Sequence, residues 1–167
     1  KVPANMPKPE VLEKYLRYPI TMVPDTFERD ENYARHHEKD IENQLPRVGI
    51  HPEFLYQADR YRANRYVEGM KKAMQNRNVI KECLNAYRDD EHKMDDSKEY
   101  WPVAAFCCKC NKDTTQITDY DGEYGITYIC QSCGHTEKGD LRTSKEFKLG
   151  WRVDWPMRWN EEQVCFE

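Results

Sequence analysis

The chain has 167 residues, 34% of them charged, and its 30 acids against 26 Lys and Arg leave a net charge of −4, too small to draw the whole surface toward nucleic acid. Leu, Ile, Val and Phe supply only 28 residues, a share that signals disorder when net charge is also high. Here the net charge is low and 12% of residues are aromatic, so the chain is expected to fold around a core that is thin in aliphatic side chains. No apolar run approaches the roughly 18 residues that a membrane-spanning helix needs.

Residues Lys1 to Met6 lack the apolar centre of a secretory signal. The first residue is Lys rather than Met and the chain stops at Val164-Cys165-Phe166-Glu167, so both ends are expected to continue into something longer. Pro9 predicts the start of a short helix over 9–16, with Val11, Leu12, Tyr15 and Leu16 on one side, because proline is favoured in a first helical turn. A second helix is predicted from about Asp30 to Leu45, where Tyr33, His37, Ile41 and Leu45 recur every fourth residue and Pro46 ends the pattern. After Gly49, the run Glu53 to Gln57 reads as a short strand.

The longest helix is predicted over about Asn64 to Arg88, with Tyr66, Met70, Ala73, Ile80, Leu84 and Tyr87 as its buried stripe. Residues 58–88 carry eight basic side chains against three acids, and 89–99 carry six acids against two lysines. The first stretch could meet phosphates or simply face solvent; the second reads as an acidic linker. Beyond it the pattern turns to strands at 101–106, 114–120 and 124–129, the last two joined by Asp121-Gly122, and a further aromatic-rich strand is predicted over 147–155.

Seven cysteines are an odd number and nothing marks export, which favours a reducing compartment over a disulfide framework. Four of them form two Cys-x2-Cys pairs, Cys107 with Cys110 and Cys130 with Cys133, nineteen residues apart. Two intervening residues let a tight turn aim both sulfurs at one point, and the hairpin between the pairs returns the second turn beside the first. Disulfides, a redox pair or an iron–sulfur cluster would use the same residues. Paired spacing in a reducing compartment points instead to a structural Zn2+ in a small ribbon, with four protein ligands and no open position for catalysis. Cys108 is expected to be a bystander, and His135 is an alternative to Cys133 as the fourth ligand. Cys83 and Cys165 read as small buried apolar residues. His36, His37 and Asp40 could face one metal but lack a further ligand at clear spacing, so a solvated His36 and half-buried His37 are expected. Phosphate-binding glycine loops, catalytic triads and HExxH are not in the sequence.

The segment Trp151-Arg152-Val153-Asp154-Trp155-Pro156-Met157-Arg158-Trp159 packs three Trp and two Arg into nine residues. It closely resembles the class I lysyl-tRNA synthetases. Lys1 to Pro7, Tyr18-Pro19-Ile20, Val23-Pro24-Asp25, Arg77 to Arg88 and Trp101-Pro102 carry the same resemblance, while 30–45 and 89–99 match loosely. It implies an α/β fold, part of a class I synthetase Rossmann domain, with inserted helices and a small β zinc-ribbon. The implied layout is a catalytic segment over 1–57, a helical insertion and acidic linker over 58–99, the zinc ribbon over 100–146 and a return to the Rossmann domain over 147–167.

The implied activity is that of a cytoplasmic ATP-dependent lysine–tRNA ligase, using Mg2+ with ATP and acting on lysine and tRNA-Lys together with the rest of its chain. This piece alone would be inactive. The family's HIGH-like and KMSKS-like ATP signatures are expected before and after it, since Lys93-Met94-Asp95-Asp96-Ser97 lies in the acidic linker and places Asp where Ser and Lys belong. Trp151, and less directly Asp154, are implied to border the lysine pocket, where an indole can pack methylenes or attract an ammonium. Arg65, Lys72 and Arg77 are the candidate tRNA contacts, and the metal-bearing insertion agrees with Cys107, Cys110, Cys130 and Cys133. A reading from the residues alone is a free-standing zinc-ribbon module that binds nucleic acid or protein.

Overall fold

A computed structural model of the chain describes Val2, Pro3 and residues 5–159. The chain begins with α1 (Pro9–Lys14), which opens at its proline as expected and buries Leu12. A 3-10 turn at Ile20–Met22 leads to α2 (Tyr33–Gln44). Asn32 starts α2 by accepting the Arg35 N–H at 2.9 Å, which satisfies one of the first-turn donors. Pro46 converts the end of α2 to a 3-10 turn, and Gly49 stops it in the left-handed region at φ 79°.

The buried side of α2 is not the stripe the four-residue spacing predicts. Ala34 and His36 are buried, whereas Ile41 is 55% exposed. The Asp25 carboxylate sets this rotation. It accepts N–H groups of Phe27, Arg29 and Asp30, each at 2.9 Å, and lies 3.2 Å from His36 Nδ1. Phe27 stacks on the His36 ring at 4.4 Å, so the solvated His36 expected from sequence is in fact at the centre of this lobe.

The strand expected over 53–57 does not form. Residues 51–56 join no sheet, and α3 (Gln57–Arg62) begins directly after them. An extended segment with nothing to pair its backbone groups gains no ladder. The single long helix expected over about 64–88 is likewise two shorter ones, α4 (Val67–Gln75) and α5 (Arg77–Ala86). Asn64 takes a left-handed φ of 55° between α3 and α4. Asn76 ends α4 by donating its side-chain amide to Lys72 O at 2.8 Å. Asparagine competes with helix hydrogen bonds in this way, which a periodicity count does not register. Tyr66, Met70, Ala73 and Met74 are buried, but Tyr87 is 90% exposed, so the stripe does not reach it. The acidic segment is not a detached linker either. Lys81 Nζ donates to Asp95 O at 2.7 Å and Lys98 O at 2.9 Å, and Asn85 Oδ1 accepts the Met94 N–H at 2.9 Å, which lays it along α5.

Two antiparallel sheets follow. In one, β1 (Val103–Ala105) pairs with β5 (Phe147–Leu149), placing Val103 opposite Leu149. In the other, β2 (Thr115–Tyr120), β3 (Gly125–Cys130) and β4 (Thr136–Asp140) lie in that order. The β2–β3 turn uses Gly122 at φ 88°, and Asp121 Oδ1 accepts the N–H groups of Glu123 and Gly125. The aromatic strand expected over 147–155 ends at Leu149, and after Gly150 the chain enters α6 (Trp151–Arg158). Val153, Asp154 and Arg158 are buried there at helical spacing. The side chains of Met70, Ala73 and Met74 on α4 join Val103, Ile117, Ile126, Tyr128, Leu141, Phe147, Leu149 and Val153 in one core, so helices and antiparallel sheets fold as one α/β unit.

Candidate metal centre and pocket

Both Cys-x2-Cys turns are built alike. After Cys107, Asn111 takes φ 60° and donates its N–H to Cys107 O at 2.8 Å; after Cys130, Gly134 takes φ 71° and donates to Cys130 O at 2.9 Å. The turns close with Cys107 N on Lys112 O and Cys130 N on His135 O. The β2–β3 hairpin and β4 hold the two turns face to face. Cys107 Sγ is 3.7 Å from Cys133 Sγ and Cys110 Sγ is 3.5 Å from Cys130 Sγ, and all four sulfurs lie within 4.8 Å of one another. Zn–S bonds of about 2.3 Å in a tetrahedron separate sulfurs by about 3.8 Å, so the four residues fit zinc.

Two of the sulfurs depart from the ordinary thiol in opposite directions. Burial pushes the Cys110 thiol up to about 12. Burial also opposes ionisation of Cys130, but the N–H groups of Cys133 and Ser132, the Thr114 hydroxyl and the Cys110 thiol bring it down to about 6. Thiolates held this close repel one another, and a bound cation would balance them. Cys108 and His135 stand outside the four-sulfur group, with Glu137. Cys83 is exposed on α5 rather than buried as expected, and Cys165 lies outside the described residues.

A cleft of about 700 Å³ opens between the 19–22 turn, α3, β5 and the start of α6, and its walls include Tyr61, Phe106, Leu149, Trp151 and Asp154. The two sequence-predicted pocket residues therefore meet in one cavity. Trp151 is 64% exposed and packs edge-to-face on Trp155 at 6.1 Å. Asp154 is buried and already engaged: the Tyr61 hydroxyl donates to its Oδ1, and Arg158 Nε donates to its Oδ2 at 2.8 Å. Tyr61 also takes the Leu149 N–H at 3.3 Å. Burial and then the Asp154 carboxylate push its hydroxyl far above the usual phenol range, so it stays a donor. Sequence reasoning missed Tyr61; its Tyr-x4-Tyr context carries no signal of a partner 93 residues away.

Of the three candidate tRNA contacts, Arg65 and Lys72 are exposed. Arg77 is turned inward: its guanidinium lies 5.2 Å over the Trp101 ring and donates to Met74 O and Glu99. In the first lobe, His36, His37 and Asp40 approach one another, as do Asp25, Asp30 and His36. Arg29 Nη2 fills the gap at 2.8 Å from His36 Nε2, and Lys39 donates to Asp30, so this cluster of acids is balanced by side chains of the chain itself.

The whole chain, residues 1–167, matches the family described as tRNA synthetases class I (K). Proteins named lysine–tRNA ligase align with all of it: that of Treponema pallidum at 48% identity, that of Borreliella burgdorferi at 46% and that of Pyrococcus horikoshii at 36%. In each case the aligned part is 31% of the relative, so the chain spans about a third of the length of these curated relatives.

Proposed function

The chain belongs to the class I (K) tRNA synthetases, and from that premise we propose that it is an internal segment of a cytoplasmic lysine–tRNA ligase. The observation that carries this reading is the alignment of all 167 residues with proteins named lysine–tRNA ligase, at 48% identity in Treponema pallidum and 36% in Pyrococcus horikoshii. The reaction is attack of the lysine carboxylate on the ATP α-phosphate with release of pyrophosphate, then transfer of the lysyl group to the 3′ end of tRNA-Lys; ATP and Mg2+ serve the whole enzyme. Residues 1–57 and 147–167 belong to its catalytic domain, 58–99 to a helical insertion and 100–146 to a zinc ribbon.

Within this segment the cleft is the lysine-side wall. The exposed face of Trp151 packs the substrate methylenes and attracts the ammonium. Asp154 holds Tyr61 and Arg158 in register behind it and adds negative potential to the pocket. Cys107, Cys110, Cys130 and Cys133 would hold the zinc, which supplies a rigid tetrahedral link between the two turns. Arg65 and Lys72 offer exposed cations to tRNA phosphates, and Arg77 contributes through the field of its partly exposed guanidinium. The test is aminoacylation by the full-length protein: lysine is joined to tRNA-Lys and other amino acids are not. A protein that binds nucleic acid but charges no tRNA would return the free-standing ribbon reading.

A further inference from the structure

The first cysteine turn holds one more sulfur than the four-cysteine cluster uses. Cys108 Sγ lies 3.3 Å from His135 Nε2 and 3.6 Å from Glu137 Oε2, and His135 Nε2 lies 3.0 Å from Glu137 Oε2. Two stretches of backbone supply these atoms: the first turn carries Cys108, and the run from the second turn into β4 carries His135 and Glu137, two residues apart. Each piece is fixed. The Cys108 N–H donates to the hydroxyl of fully buried Tyr128 at 3.0 Å, and Glu137 is the register partner of Tyr128 across β3 and β4. The His135 carbonyl accepts the Cys130 N–H at 2.8 Å.

As hydrogen bonds the three groups converge on Glu137, whose Oε2 accepts the His135 Nε2–H and the Cys108 thiol and leaves the sulfur and the ring nitrogen side by side. As ligands the same atoms are well placed. Bonds of about 2.3 Å to sulfur, 2.05 Å to nitrogen and 2.0 Å to oxygen at tetrahedral angles separate S from N by about 3.6 Å, N from O by about 3.3 Å and S from O by about 3.5 Å. The three separations in the structure depart from these by no more than about 0.3 Å.

We propose that Cys108, His135 and Glu137 form a second metal site, distinct from the four-cysteine cluster, that takes a zinc-class divalent cation and leaves one position open to water. Loss of the Cys108 proton to solvent on binding leaves a thiolate, a carboxylate and a neutral imidazole, whose charge of −2 balances the ion. Sulfur, nitrogen and oxygen together select zinc over magnesium or calcium, which prefer oxygen alone. His135 and Glu137 side chains are 28% and 38% exposed and Cys108 is exposed, so the site is reachable from solvent and holds its ion less tightly than the closed cluster. The extra Cys and His of the two turns then belong to this site and do not compete for the first.

The test is zinc and cobalt titration of the full-length protein, read by metal analysis and by the cobalt–thiolate spectrum. Two ions per chain are expected, the second removed first by chelator. Cys108→Ser, His135→Gln and Glu137→Gln should each lower the count to one and leave the four-thiolate spectrum unchanged. A wild-type count of one at saturation, or a four-thiolate spectrum altered by His135→Gln or Cys108→Ser, would overturn the proposal. In the unmutated protein, the second equivalent of zinc should protect Cys108 from alkylation, located by mass spectrometry. Equal alkylation with one and two equivalents would also overturn it.

Discussion

Asp25 illustrates how much of the first lobe rests on a single side chain. Burial works against its charge, but the N–H groups of Arg29, Phe27 and Asp30, with His36 beyond them, hold its carboxyl at about 2, below the ordinary 3.8. A depressed carboxyl stabilises the fold fully above its unfolded value and loses that contribution as pH falls through the folded one. Acid should therefore loosen the lobe around α1 and α2 between about pH 4 and pH 2, followed by circular dichroism. Asp25→Asn should remove that acid step and cost about 1–3 kcal/mol at neutral pH by urea unfolding, because buried N–H groups lose their acceptor. Trp151 gives a functional counterpart. Trp151→Ala should raise the KM for lysine about 2- to 30-fold in the full-length protein, the range of a cation–π contact of about 0.5–2 kcal/mol, and an unchanged KM would remove Trp151 from the pocket. The four zinc-type cysteines were legible in the sequence because their geometry is local to two short turns. Tyr61 and Asp25 were not, since each acts through partners set by tertiary packing rather than by spacing.

At the scale of elements, local chemistry decided what could be foreseen. Pro46 bounds the end of α2 and Asp121-Gly122 makes the hairpin, so both were readable, whereas the Asn32 cap that sets the start of α2 was not read. β4 was not, because Thr136 to Asp140 shows no apolar alternation and exists as a strand through its ladder with β3. Its packing gives a direct check: a Cβ added at Gly139 would lie 2.6 Å from Phe147 Cε2 and 2.8 Å from Cζ. Phe147 is buried and cannot swing aside, so Gly139→Ala should destabilise the protein by about 1–3 kcal/mol in thermal or urea unfolding. The segment after Gly150 was misread as a strand for the opposite reason. Its aromatic content favours strands, but Val153, Asp154 and Arg158 are buried at helical spacing, and the Asp154–Arg158 ion pair one turn apart fixes the helix.

For the whole molecule, the thin aliphatic supply has a structural counterpart. The 103–153 core is small, α4 covers it with Tyr61 of α3 and Ile80 of α5 packed beside, and Cys107 and Cys130 are themselves part of it. Zinc bound there would add folding free energy on the order of 10 kcal/mol, so chelation should unfold the two turns and strip β2–β4 of circular-dichroism signal; intact signal after complete metal removal would contradict a structural role. The exposed Trp151, Trp155 and Trp159 on the last helix are apolar surface of the kind that a further part of a larger enzyme covers. The central claim, that these features belong to a lysine–tRNA ligase, is met most directly by ATP–pyrophosphate exchange with the full-length protein. Exchange that requires lysine and is not supported by other amino acids is the predicted result. No lysine-dependent exchange from a folded, metal-replete full-length protein would contradict it.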